Sequence, residues 1–293
     1  MVRIITDSAS DIDMKTAGEL GIICVPLTVS FGKEQFKENV ELSKTEFYKR
    51  LISDASFPQT AQVPPYAFEQ VFREAKEAGD DVIAILLSSR LSGTYQSARI
   101  AQESVHEEES KNLNRGSGNS HCYVIDSRSA SAGQQLLAEH AAKMRKQGNT
   151  AREIVRQIRN VRSRLQLFAC VNTLEYLYRG GRISKAAATI GTIINVKPIL
   201  YVNESGEPEI TARVHGNQKA VNYMLERLKA EPPDEEYPIY IMYSYMDEGA
   251  RRLRKAIRTA GYQVRMKHVI NVGAVIGSHI GPYAYGMTYI KRE

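Results

Sequence analysis

Hydroxyl and carboxyl side chains gather at three places in the chain. Thr6, Asp7, Ser8, Ser10 and Asp11 stand in TDSASD at 6–11, and Ser88, Ser89, Ser92 and Thr94 in SSRLSGT at 88–94. Asp126, Ser127, Ser129 and Ser131 stand in DSRSAS at 126–131, and a fourth segment, FPQTAQVPP at 57–65, adds Thr60 and Gln62. Hydroxyl donors beside the unpaired N–H groups of a helix start make an anion cradle, suited to a carboxylate or a phosphate. In Ser92-Gly93-Thr94 the glycine would let a ligand come close to the backbone. No glycine-rich run ends in GKS or GKT, and GxGxxG is missing, so neither a Walker loop nor a dinucleotide site is indicated. No GxSxG elbow is present either, which argues against an α/β-hydrolase. Ser, Thr and Asp are also favoured helix N-caps, so any one cluster is explained by capping alone. Asp7 and Asp126 could pair as acid and base or hold a metal. Ordering the Ser-rich loops through Asx-type hydrogen bonds accounts for them more simply.

The elements that must position these clusters are short apolar runs. VRIIT at 2–6, IICVPLTV at 22–29, VIAILL at 82–87 and CYVID at 122–126 read as strands, with helical patterns at 65–78, 93–105 and 131–147. Continuous apolar strands alternating with helices predict a parallel sheet covered on both faces. All three clusters follow strands, so they fall on the carboxyl edge where such sheets bind ligands. The second half predicts strands at 165–171, 197–202, 237–245, 263–270 and 286–290, with helices at 217–230 and 248–260. Fewer helices per strand predict a mixed sheet with helices on one face. The expected organisation is an α/β protein of two domains. Residues 1–160 form a three-layer α/β/α unit with a parallel sheet, and 161–293 a two-layer unit. The polar stretch 107–120 reads as an exposed loop after a helix.

With 293 residues and 43% hydrophobic content, the chain can bury one large core or two medium ones. Cys24, Cys122 and Cys170 are widely separated and odd in number, and His106, His121, His140 and His268 have no ligand spacing. Neither a disulfide framework nor a metal site is expected. The first residues lack a long apolar run and no window resembles a membrane span, so a cytoplasmic protein is expected. The net charge of +6 permits an anionic ligand, an acidic partner or an anionic membrane surface. No nucleic-acid-binding signature accompanies it.

TDSASD at 6–11, PQTAQ at 58–62, SSRLSGTYQSA at 88–98, VIDSRSASAG at 124–133, YLYRGGRI at 176–183, KPIL at 197–200 and HIGPYAYG at 279–286 occur in this order. In this the chain resembles the DegV family, which includes the fatty-acid-binding B subunits of bacterial fatty acid kinase. The resemblance spans nearly the whole chain. It implies two α/β domains with a long-chain fatty acid between them, the tail buried and the carboxylate at the hydroxyl cluster. Thr60 and Ser92 would hydrogen-bond that carboxylate, Gly93 and Thr94 would help through the backbone, and His279 would approach from the second domain. A separate ATP-dependent kinase subunit would then make the acyl phosphate, so this chain would be a non-catalytic carrier with no cofactor. Three positions depart from the family pattern: Ala61 stands where Ser is common, and Gln135 and Tyr283 where glycine is expected.

Arg182, Ser127 and Asp7 are further candidates for supporting the head group. For Arg182, a glycine-ended helix with an exposed arginine is an equal reading. Arg152, Arg156, Arg159 and Arg162 are spaced to form one basic stripe on a helix, ordinarily a solvated face and here a candidate contact with the kinase or with anionic lipid. RRLRK at 251–255 is a second such stretch. Two competing functions remain open at this point: a stand-alone hydrolase or phosphatase using the Ser/Asp cluster, and a lipid-responsive regulator without a kinase.

Overall fold

A computed structural model describes residues 1–54, 56–111, 120–188 and 195–293. The first half runs β1 (Val2–Asp7), α1 (Met14–Leu20), β2 (Ile22–Val25), β3 (Thr28–Phe31), β4 (Glu34–Lys37), α2 (Lys44–Ser53), β5 (Gln59–Ala61) and α3 (Pro65–Glu77). It continues through β6 (Asp81–Leu86), α4 (Thr94–Lys111), β7 (Cys122–Asp126), α5 (Ser131–Lys146) and α6 (Ala151–Ser163). The second half contains β8 (Leu165–Cys170), α7 (Glu175–Arg179), α8 (Lys185–Ala188), β9 (Val196–Val202), β10 (Pro208–His215) and α9 (Gly216–Ala230). Then follow β11 (Tyr240–Tyr243), α10 (Glu248–Thr259), β12 (Val269–Asn271), α11 (Ala274–Ile280) and β13 (Tyr285–Ile290).

The first sheet has the order β2-β1-β6-β7 and every pairing in it is parallel. Alternate side chains go to opposite faces. Ile5, Val82 and Ala84 pack with Phe68 and Phe72 of α3, whereas Ile4, Ile83 and Ile85 pack with Leu137 of α5 and Ile158 of α6. The second sheet has the order β10-β9-β8-β13-β11-β12. It is mixed: β11 and β12 are parallel and its other pairings antiparallel. Phe168, Ile241 and Met287 on its outer face are covered by Met224 of α9 and Leu253 of α10. Leu167, Tyr240 and Met242 on its inner face enter the same core as α5 and α6. The helices α5 and α6 therefore form a middle layer shared by two sheets.

Four expectations change. The strand expected over 22–29 is divided at Pro26, which has no N–H to give a ladder; β2 stays in the parallel sheet and β3 joins β4 and β5 in a separate antiparallel sheet. Over 263–270, only Val269 and Ile270 belong to a strand, and Met266–His268 form a 3₁₀ turn. The strand expected over 237–245 starts at Tyr240, beyond Pro238. The helix expected to end at 105 continues to Lys111, into the stretch expected as a loop; residues 112–119 of that stretch lie outside the described residues.

The chain leaves α6 at Ser163 and enters the second sheet at Leu165. One later segment returns to the first half. Lys44 Nζ donates to Asn271 O at 2.7 Å and the Tyr48 hydroxyl to Val272 O at 3.0 Å. Gly273 N donates to Asp11 Oδ1 at 2.6 Å, and Val275 N to Glu38 Oε1 at 2.8 Å. Two buried carboxyls thus cap the first turn of α11 and mount it on first-half elements.

Candidate functional site

A cavity of about 380 Å3 lies between the inner face of the second sheet and the first-half strand ends. That lies within the usual range for a small-molecule site, roughly 300–1,000 Å3. Leu27, Leu87, Leu167, Met242 and Val275 line it and are buried. Thr60, Ser92, Gly93, Arg182 and His279 also line it and are only partly buried. Most of the buried wall is apolar, Ser131 excepted; the partly exposed side, or rim, carries these polar residues together with Leu91, Val202, Pro208, Ile276 and Ile280.

The rim joins the two halves. Thr60, held in β5 by pairing with Val29, brings its Oγ1 to 2.8 Å from Nε2 of His279 near the end of α11. Burial and the nearby Arg182 charge push the imidazole down to about 3, so it is neutral at pH 7. Its Nδ1 is buried without a hydrogen-bond partner. Gly180 admits this ring: a Cβ there would overlap Nδ1. Arg182 donates from Nε and Nη2 to Leu91 O, both at 3.0 Å, and from Nη1 to Gly180 O at 2.6 Å. It is not the exposed arginine of a frayed helix end. It ties the GGRI loop to the turn carrying Ser92, and burial lowers its pKa.

Ser92 Oγ lies 3.0 Å from Thr94 Oγ1 and accepts from Thr94 N at 3.2 Å. Ser92 thus caps α4 while it faces the cavity. Thr94 is fully buried behind it, with its Oγ1 accepting from Val63 N at 3.3 Å. Gly93 serves a different purpose from the one its type suggests. A Cβ there would overlap Gln62 Oε1, so the close approach it allows is that of Gln62, whose Nε2 donates to Ser97 Oγ at 2.9 Å. Ser131 also lines the cavity, in a left-handed conformation with φ of 50°, and its hydroxyl donates to Asp11.

Asp7 and Ser127 are not at the cavity. Asp7 is buried and accepts from Ala9 N at 3.1 Å and Leu87 N at 2.8 Å; burial raises it to about 6. Ser127 donates to Ser129 O at 3.0 Å, within its own turn. Asp126 accepts from Ser89 Oγ at 2.6 Å and Arg128 N at 2.8 Å. These acids order loops, as Asx geometry provides. The basic stripe loses one member: Arg152, Arg156 and Arg159 are exposed on α6, but Arg162 is partly buried and donates to Asp126 O at 2.6 Å. Among the described residues no group of His, Cys, Asp and Glu could hold a metal ion.

The mount of α11 carries a pH dependence. Burial first, and the Asp11 charge second, push Glu38 from 4.5 up to about 8. The folded chain then holds a proton that the unfolded chain releases. This contribution to stability is whole below about pH 4.5 and is lost as pH rises to about 8. Glu38→Gln keeps an acceptor for Val275 N and removes the titration. Its melting temperature should fall less across that window than that of the wild type, as read by calorimetry; parallel curves would show that Glu38 does not titrate there.

The model of the DegV family, whose description is "Uncharacterised protein, DegV family", matches residues 1–292. The chain belongs to the DegV family. A DegV domain-containing protein of Caldanaerobacter subterraneus subsp. tengcongensis is 35% identical over 294 residues, covering 99% of each chain. Among solved structures, a fatty-acid-binding DegV family protein from Thermus thermophilus superposes with a TM-score of 0.84 at 31% identity, covering 99% of each chain. A stearic-acid-binding protein from Eubacterium ventriosum superposes with a TM-score of 0.84 at 25% identity, covering 99% of this chain and 98% of that one. The DegV fold accounts for the parallel sheet and the mixed sheet.

Proposed function

We propose that this DegV-family protein holds a long-chain fatty acid between residues 1–160 and 161–293. It presents the carboxylate to a partner kinase, which phosphorylates it from ATP to an acyl phosphate. The observation that carries the reading is a cavity whose buried wall is mostly apolar and whose partly exposed side carries Thr60, Ser92, Arg182 and His279. Each methylene buried inside contributes about 0.8 kcal/mol. A carboxylate at the rim would meet hydroxyl donors and a guanidinium, which offset its desolvation. The fatty acids held by the Thermus and Eubacterium proteins support the same ligand class.

A hydrolytic reading fits the rim less well. A general base works best with a pKa near the operating pH, and the one imidazole beside a rim hydroxyl is held at about 3. Asp7, Asp126 and Ser127 of the Ser/Asp cluster are spent on loop hydrogen bonds. A cytoplasmic location is part of the proposal; among the described residues no helix is long and apolar enough to cross a membrane. Arg152, Arg156 and Arg159 suit a transient contact with an anionic membrane surface.

Mass spectrometry of the purified protein, native and then after organic extraction, tests the ligand. A stoichiometric long-chain fatty acid is expected; a protein that is empty and takes up no added acid would overturn the reading. Ser92→Ala should lower kinase-coupled phosphorylation by about tenfold, the worth of one hydrogen bond to a charged group, while most of the bound acid is retained. Equal loss of both would remove Ser92 from the carboxylate.

A further inference from the structure

The inner face of the second sheet carries a bare lane. Alternate residues of β8 point to opposite faces. Phe168 and Cys170 enter the core under α9 and α10, and Leu167 enters the core shared with α5 and α6. Ala169 stands on the same face as Leu167 and is buried. Among the described residues it is the one buried apolar side chain that joins none of the four apolar cores. It lines the cavity instead.

The strand register shows what stands beside it. Ala169 is paired with Leu200 of β9 on one side and with Gly286 of β13 on the other, and Gly286 is paired in turn with Met242 of β11. Directly paired residues share a face. The row therefore reads Leu200, Ala169, Gly286, Met242, with two large side chains at its ends, both lining the cavity, and the two smallest residues between them. Gly286 has to stay bare, because a Cβ there would overlap Phe168 O and lie 3.2 Å from the Ala169 Cβ. Leu200 packs into a core with Leu177, and Met242 into the core with Leu167, so the lane is the seam between two cores.

We propose that the tail of the bound fatty acid lies in this lane, and that the size of the Ala169 side chain sets the longest acid the protein accepts. This inference rests on the function proposed above. An apolar wall with no atoms against it forfeits its dispersion contacts, and an apolar cavity stays dry. An alkyl chain supplies the contacts that the Ala169 methyl group lacks. Leu200 and Met242 cannot serve as the same determinant, because each also holds a core together. Ala169 can grow into the cavity without displacing a core side chain.

The test uses Ala169→Val and Ala169→Ile in the full chain, since β-branched residues suit a strand. Lipid is extracted, and each protein is titrated by calorimetry with lauric, myristic, palmitic and stearic acids. The added carbons take the space of as many tail carbons, each worth about fourfold in affinity. The longest acid that the wild type holds should bind roughly 15-fold more weakly to Ala169→Val and about 50-fold more weakly to Ala169→Ile. The shortest should keep its wild-type affinity, and the acid that co-purifies should become shorter. The lipid-free variants should melt no lower than the lipid-free wild type, because the new methyl groups fill open space. An unchanged affinity for the longest acid, or an equal loss for all four, would overturn the lane and leave the carrier reading standing. So would a fall in the lipid-free melting temperature, which would show that the Ala169 methyl group is already packed against protein. A wild type that binds none of the four acids would overturn the carrier reading itself, and the lane with it.

Discussion

An Asp11→Ala chain is expected to melt on the order of 10 °C below the wild type and to purify with its cavity depleted of ligand. Asp11 is buried, in a left-handed conformation, and its carboxylate accepts from Gly273 N and from the Ser131 hydroxyl. Alanine leaves both donors buried without an acceptor and leaves the Lys44 ammonium without the carboxylate that attracts it. Removing one partner of a buried charged network costs about 3–5 kcal/mol, and each kcal/mol shifts the melting of a chain this size by roughly 2–4 °C. The loss also frees the first turn of α11, which carries Val275, Ile276 and His279 into the cavity wall. Calorimetry with native mass spectrometry checks both effects. A normal melting temperature would show that the mount of α11 does not depend on this carboxylate.

The second large effect is expected from Gly180→Ala. The added Cβ would overlap His279 Nδ1 and lie 3.0 Å from the Tyr176 carbonyl. The carbonyl belongs to the backbone of α7, so the imidazole must yield, and Thr60 loses its partner across the rim. A displacement of about 1 Å in a positioning group can cost on the order of 10²-fold in rate. Coupled phosphorylation should therefore fall by about that factor, while the buried tail keeps the fatty acid bound. Single-turnover kinetics on the loaded carrier decides it; a rate near the wild type would mean that His279 does not orient the carboxylate.

The parallel sheet and its hydroxyl-rich edge were legible because strong local signals agree there. The runs around Ile83 and Val124 are apolar without interruption, the run around Ile4 is broken only by Arg3, and each hands over to Ser, Thr and Asp. What those hydroxyls and carboxyls do was not legible. The same residue types cap turns and bind anions, and only the distances separate Ser92, at the rim, from Ser127, closed on its own turn. Gly93 was misread for a related reason: a glycine signals a close approach without saying by what. The strand β10 escaped notice because Pro208, Glu209 and Arg213 leave it no continuous apolar run, and its faces differ only as half-buried and exposed. Helix α11 escaped because a seven-residue glycine-containing segment has too few turns to show a period. Its anchors, Asp11 and Glu38, lie more than two hundred residues earlier in the chain.

The middle layer of α5 and α6 has a bearing on how cargo can be exchanged. Leu136 and Ile158 sit in one apolar core with Ile4 and Ile83 of one sheet and with Leu167 and Tyr240 of the other. The Tyr240 hydroxyl adds a 2.6 Å bond to Glu139 Oε2 from strand to helix. Such a layer does not part as a hinge would, because opening it would expose the core of both sheets at once. The two halves should accordingly unfold as one cooperative unit, and a cut between Ser163 and Leu165 should not release two stable pieces. Exchange then falls to the short elements beside the anchored α11, namely α7 and the β5 strand, which can shift locally at lower cost than the global unfolding free energy. The two halves are in this sense one body and not a clam.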